Sequence, residues 1–251
     1  AVGTTNVTDG TQNWWGSASG SSGAGPGTGD SVSADVDFCP WLDAPFPVGS
    51  PVDTCDDDGD GAPDAGEDGI AEGDGNGDNI PDSEQDTVAS LFSNDANCEL
   101  TLSVSTGMLQ QVTAVPVPVD APVDRFRFPC QAIGFLVTDL GIGATVDLTL
   151  RIRPADATLD TLLKPDGNGV WQAVAGVAIN TTQDYTDLTF SLTDGGVFDA
   201  DGQADGTVTD PALPGAPRSV TPTSIPALNV WGLVLLASAL GLLMERRRRR
   251  A

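Results

Sequence analysis

Asp56, Asp58, Asp60, Gly61, Asp64 and Glu67 occupy positions 1, 3, 5, 6, 9 and 12 of one short acidic segment. In a tight loop, alternate side chains at this spacing turn inward and converge on a single ion. A glycine at the sixth position permits the sharp turn, and a glutamate at the twelfth offers two oxygens. Hard oxygen donors in that number suit calcium. A second copy runs from Asp74 through Asn76, Asp78 and Asp82, with Asn79 in place of the glycine and Gln85 in place of the glutamate. Asparagine tolerates the left-handed backbone, whereas a neutral twelfth residue makes this the weaker site. The whole stretch from Asp56 to Asp86 is two-fifths acidic and rich in glycine, too polar to build a core. The competing reading is a disordered acidic linker, loosened by repulsion between its carboxylates. Asp194, Asp199, Asp201 and Asp205 form a further acidic group, read either as another calcium cluster or as a plain Asp-Gly turn. Paired carboxylates also serve glycoside hydrolysis, but these lie in glycine-rich loops with metal spacing, which argues against that chemistry.

The remaining composition narrows the chemistry further. The chain has no histidine, so it lacks the usual general base, the commonest transition-metal ligand and any Ser-His-Asp arrangement. Catalysis within these 251 residues is not expected. Basic residues number 11 against 36 acidic ones, and five of the 11 are the run Arg246, Arg247, Arg248, Arg249 and Arg250. The rest of the chain is therefore strongly anionic, repelling nucleic acid and attracting divalent cations. Cys39, Cys55, Cys98 and Cys130 are even in number and lack CxxC spacing, which implies two disulfides in an oxidising compartment. Of the three pairings four cysteines allow, Cys39 with Cys55 and Cys98 with Cys130 are favoured because they close short loops within each module.

Cys55, Pro63, Gly69 and Pro81 bound the acidic loops, where an EF-hand would carry helices. The loops are similar to thrombospondin type 3 and related bacterial Asp-rich repeats, a resemblance that implies ions organising a segment with little core of its own.

The elements that must position these loops read as β structure. From Asn97 to Pro211, apolar residues alternate in short runs at Leu100 to Val104, Phe126 to Phe128, Ile133 to Val137, Thr145 to Ile152 and Leu188 to Leu192, separated by Gly, Pro or Asp turns. Val146, Leu148, Leu150 and Ile152 share one face, as a half-buried strand requires. Several such strands predict an antiparallel β-sandwich. Residues GNGDNIPDSEQDTVASL, the region of Trp171 and LTDGGVFDADGQADGTVTDP resemble the choice-of-anchor U domain, a module found beside various anchoring tails. At the N-terminal end, Asn13, Trp14, Trp15 and Gly16 precede a Gly/Ser loop and an alternating strand over Val32 to Phe38, followed by Pro40, Trp41 and Leu42. These segments resemble the final turns of bacterial right-handed parallel β-helices, which implies a capping role for the tryptophans and a solenoid upstream. Since the chain starts at Ala1 without a basic or apolar leader, the expectation is a mature form or a fragment.

Ile225 to Met244 is twenty residues whose only polar side chains, apart from the Trp231 indole, are Asn229 and Ser238. As a helix it would span roughly 30 Å, the thickness of a hydrocarbon core. The arginine run should stay cytoplasmic, leaving the body outside. Ile225, Pro226, Leu228, Trp231 and Gly232 resemble the signature of IPTL-type C-terminal sorting signals, with Ala227 where that motif has threonine. The resemblance implies processing by an exosortase-type membrane enzyme in a Gram-negative bacterium. The protein would then reside in the inner membrane during sorting and later at the cell surface or outside it.

The expected fold is thus mainly β: residues 1–44 end a parallel β-helix, 55–86 form Asp-rich calcium loops, 97–211 an antiparallel β-sandwich, 212–224 an extended proline-rich linker, and 225–251 a sorting tail with one C-terminal transmembrane helix. The expected role is structural or adhesive, with an extracellular glycan or protein as ligand. The alternative is the non-catalytic C-terminal portion of a secreted β-helix enzyme that degrades polysaccharide.

Overall fold

In the computed structural model, the described residues are 8–52, 54–93, 98–166 and 168–218. Ala1–Pro217 form one compact unit, and of the second, Arg218–Ala251, only Arg218 is described. The sorting motif, the transmembrane helix and the arginine run expected at 225–251 lie outside the described residues. Among the described residues, no helix is long and apolar enough to cross a membrane.

The N-terminal segment is built from two-residue strands: β1 (Thr8–Asp9), β2 (Ser22–Gly23), β3 (Ser31–Val32), β4 (Val36–Asp37), β5 (Trp41–Leu42) and β6 (Pro51–Val52). β1 pairs with β4 and β2 with β3, both parallel, whereas β5 and β6 are antiparallel. The single strand expected over Val32 to Phe38 is instead β3 and β4 separated by a turn, because each of them bonds to a different partner. Trp41 is buried and its Nε1 donates to Ala18 O at 3.2 Å. The indole lies where a Cβ on Gly20 would stand, 2.7 Å from two ring atoms, and Gly20 has φ +83°. Only glycine meets both demands.

Alternating burial then creates the main body. Its strands are β7 (Val88–Ser93), β8 (Cys98–Val104), β9 (Met108–Val115), β10 (Phe126–Arg127), β11 (Ala132–Thr138), β12 (Thr145–Arg153), β13 (Thr161–Pro165), β14 (Trp171–Ala173), β15 (Ala178–Thr181), β16 (Thr186–Thr193) and β17 (Val208–Pro217). One sheet has the order β15-β16-β12-β8-β7, the other β14-β13-β17-β11-β9 with β10 also on β17, and every pairing in them is antiparallel. Leu148, Leu150, Leu100, Leu102, Leu188 and Phe190 from the first sheet pack with Ile133, Phe135, Val137, Leu162 and Val208 from the second in one core. This is the expected sandwich, reaching from Val88 to Pro217 rather than from 97 to 211. Leu148 sits opposite Phe190 on one neighbour and Val104 on the other and is almost wholly buried. Leu148→Ala should therefore destabilise by about 2–5 kcal/mol, read as a lower midpoint in urea with an unchanged slope.

The disulfides are Cys39 to Cys55 and Cys98 to Cys130, the favoured pairing. The first joins the N-terminal segment to the start of the acidic loops. The second ties the beginning of β8 in one sheet to the chain entering β11 in the other.

One expectation is overturned. Residues 212–217, read from Pro211, Pro214 and Pro217 as the start of an extended linker, complete the ten-residue strand β17 inside the six-stranded sheet. Proline lacks the N–H that a two-sided ladder demands, but β17 is bonded on one flank at a time. Its registered partners are on β11 at Pro211, on β13 at Pro214 and on β10 at Pro217. Each proline thus has one flank free of a ladder.

Candidate metal centre

Local hydrogen bonding folds the two acidic copies on one pattern. In the first, Asp56 accepts from the amides of Gly59 (2.9 Å) and Gly61 (3.0 Å), Asp58 from Asp60 (3.2 Å), Asp60 from Ala62 (2.6 Å) and Asp64 from Asp57 (3.0 Å). In the second, Asp74 accepts from Gly77 (2.7 Å) and Asn79 (3.0 Å), Asn76 from Asp78 (2.9 Å), Asp78 from Ile80 (2.9 Å) and Asp82 from Gly75 (2.8 Å). Position for position, the donors and acceptors correspond. The fourth and sixth residues have positive φ in both: Gly59 and Gly61 in one, Gly77 and Asn79 in the other. A helical turn closes each copy at Asp64–Glu67 and Asp82–Glu84, within the loop itself and not flanking it.

The first loop gathers one oxygen each from Asp56, Asp58 and Asp60 within 4.8 Å of one another. Asp60 and Glu67 are fully buried, and one oxygen of each, together with Asp58 Oδ2, has no hydrogen-bond partner. Unpaired carboxylate oxygens out of water are costly unless a cation or a proton satisfies them. Burial, followed by repulsion from Asp58, Asp56 and Asp64, pushes Asp60 up to about 8 despite the Ala62 amide. Burial and the charge of Asp60 push Glu67 to about 9. Burial also raises Asp58 and Asp64, each to about 6. A divalent cation among Asp56, Asp58 and Asp60 would relieve their crowded charge, so these residues fit such an ion and would hold it. Glu67 is coupled to them through the charge of Asp60.

Glu67 has a second contact that its spacing did not imply, while its other oxygen has no partner. Its Oε1 accepts from the Ser90 amide on β7 at 2.9 Å. The Ser90 hydroxyl donates to Asp82 of the second loop at 2.5 Å and contacts the Thr101 hydroxyl at 2.7 Å. Ser90 therefore connects the two loops through the sandwich, a link no spacing rule could reveal. Asp82 has a further buried oxygen without a partner, and burial raises its carboxyl above the ordinary range. Asp74, Asn76, Asp78 and Asp82 do not join the close oxygen group of the first loop. Gln85 turns its amide inward, donating to Asp78 at 3.4 Å and to Ile80 O at 3.2 Å.

Two arginines seat the second loop. Arg151 grips Asp187 with two hydrogen bonds, 2.7 and 3.0 Å, and donates to the carbonyls of Asn76 (2.7 Å) and Gly75 (3.3 Å), while Arg153 donates to Gly75 O at 2.9 Å. The Tyr185 ring lies 3.8 Å from the Arg151 guanidinium carbon. The signal for this was present in the outward positions of TVDLTLRIR, but not the partner. Arg151→Ala should loosen the second loop and lower the melting temperature, and Arg151→Lys should restore little, since an ammonium cannot form the fork. Thermal melts of the two variants check this.

The first loop is held against the other sheet. Val112 N donates to Asp60 O at 2.9 Å, and a Cβ on Gly61, whose φ is +99°, would stand 2.7 Å from Gln111 Cα and Val112 N. Gly61→Ala should lower the melting temperature by several degrees in a thermal melt, because the strain falls on the loop backbone.

The third acidic group resolves as a turn. Asp194 accepts from Gly143 (2.7 Å), Gly206 (2.9 Å) and Asp205 (3.1 Å), and Asp199 from Gly195 (2.8 Å) and Thr209 (3.0 Å). Asp201 and Asp205 cap the amides of Gln203 and Thr207. Among the described residues these four do not form a close group of three carboxylate oxygens, which favours the Asp-Gly turn over a cation cluster.

Residues 223–250 match the IPTL-CTERM motif, which supports a C-terminal sorting signal and an exported protein sorted to the cell surface. No curated protein and no solved structure matches the chain.

Proposed function

We propose that the chain is the non-catalytic, calcium-stabilised outer part of an exported bacterial surface protein with a structural or adhesive role. The observation that carries the calcium reading is the repeated loop with buried, unpartnered carboxylate oxygens on Asp58, Asp60 and Glu67. Bound calcium would supply charge neutralisation there and stiffen the connection between the N-terminal segment and the sandwich. The parallel pairs β1·β4 and β2·β3 and the Trp41 packing suit the closing turns of a parallel β-helix. The sandwich occupies the place of a choice-of-anchor U-like spacer. Ile225, Pro226, Leu228, Trp231 and Gly232 would be recognised by an exosortase-type enzyme, with the apolar segment in the inner membrane and the arginines cytoplasmic. An extracellular glycan or protein is the ligand class, and nucleic acid is disfavoured by the charge.

Fractionation of a host with such an enzyme tests the sorting half. The full chain preceded by an export signal should reach the surface. Pro226→Ala with Trp231→Ala should leave it in the inner membrane fraction, and unchanged surface delivery would refute the reading.

A further inference from the structure

The chain contains one lysine, Lys164. A side chain of this type is almost never fully buried without a partner, yet Lys164 is 0 % exposed. It lies on β13, one residue beyond Leu163, which registers with Leu213 on β17. From there it reaches diagonally to Asp210 on the same strand. Lys164 Nζ and Asp210 Oδ1 are in direct contact, and both side chains are wholly enclosed. The Phe135 ring centroid is 5.9 Å from the amine, and Leu162, two residues before Lys164 on β13, and Val208 and Ala212, two residues either side of Asp210 on β17, belong to the main core.

Neither Lys164 Nζ nor either Asp210 oxygen has a hydrogen-bond partner beyond this contact among the described residues. The adjacent carboxylate, Asp199, is already committed to the amides of Gly195 and Thr209. A bare ion pair in such a place is poorly compensated, since stable buried pairs satisfy their remaining donors and acceptors with further hydrogen bonds. Burial holds the amine well below its ordinary value, against the opposing charge of Asp199.

We propose that Lys164 and Asp210 condense to an intramolecular amide, a covalent bond between β13 and β17. The proton passes from the ammonium to the Asp210 carboxylate, giving a neutral amine and a neutral acid. Nζ attacks Asp210 Cγ, forming the C–N bond. The tetrahedral intermediate then breaks its C–O bond, and the hydroxyl leaves with a proton from the nitrogen as water. No oxidant, reductant or co-reactant is consumed. Close confinement supplies the entropy that a bimolecular condensation lacks, and exclusion of water from the core opposes the reverse hydrolysis. The bond would clamp to its neighbour the strand that precedes the C-terminal tail in the chain, where pulling on a surface-held protein would be felt.

Mass spectrometry of the full chain, denatured and with its disulfides reduced, decides the matter. The expected result is that most of the protein is lighter by one water than its sequence, and that proteolysis yields a branched peptide joining the Lys164 and Asp210 segments. Asp210→Asn should reach the same final mass, because ammonia leaves in place of water, and Asp210→Ala should lose the branched peptide. A wild-type chain that is predominantly of unreduced mass, with Lys164 and Asp210 on separate linear peptides, overturns the proposal whether or not the variants fold.

Discussion

Removing calcium is expected to lower the melting temperature by roughly 5–10 °C per occupied loop. Ligand at about a hundred times its dissociation constant contributes about 2.7 kcal/mol per site, and each kcal/mol moves the midpoint of a domain this size by about 2–4 °C. Asp60→Asn separates an ion-binding role from a packing role. The amide oxygen can still accept from Ala62 N, as Asp60 does at 2.6 Å, but the charge is gone. In saturating calcium the variant should melt below wild type, since a ligand carboxylate is missing. In chelator it should melt above wild type, because the ion-free wild-type fold must keep the buried Asp60 protonated at a pH where the unfolded chain is ionised, and the neutral amide removes that cost. Thermal melts of both proteins in both conditions measure this crossing. If Asp60→Asn is less stable by the same amount in calcium and in chelator, Asp60 holds the loop only by packing and the metal reading fails.

Proton release on calcium binding is the second large effect. Asp60 and Glu67 are raised to about 8 and about 9 from ordinary values of 3.8 and 4.5, so at neutral pH the ion-free fold retains protons that the unfolded chain has lost. The sign follows directly. These groups favour the fold below their unfolded values near 4, and that contribution is lost as pH rises through 8 to 9, so the chelated protein should melt progressively lower from pH 4 to pH 9. Calcium requires the ionised carboxylates, so it should displace about two protons at pH 7 and bind more tightly at pH 8 than at pH 6. Calorimetry in buffers of different ionisation enthalpy reads the protons as the slope of apparent enthalpy. A zero slope would place the two carboxyls outside the coupled site.

Much of this was legible in the order of residues. The expected strand over Thr145 to Ile152 is β12 nearly to the residue, because alternation along one segment dictates which face is apolar. The acidic loops were legible for the same reason, since chelation by side chains two residues apart depends on the local chain alone. Gln85, at the twelfth position of the second copy, donates its amide to Asp78.

Strands that owe their existence to partners were harder to see. Residues 212–217 carry the composition of a linker, and they become part of a central strand only because β11, β13 and β10 leave one flank free at each proline. Glu67 and Asp82 are joined by Ser90, more than a loop's length away from Glu67 in the chain. Arg151 grips a loop some 75 residues distant in sequence. The sequence by itself determined the sorting motif, the alternation of the main strands, the loop spacing and the anionic charge, all properties of residues near one another in the chain. Tertiary structure decided which oxygens are sealed from water, which strands share a sheet and that the single lysine meets Asp210, because burial and cross-strand register depend on segments that become neighbours only when the chain closes on its core.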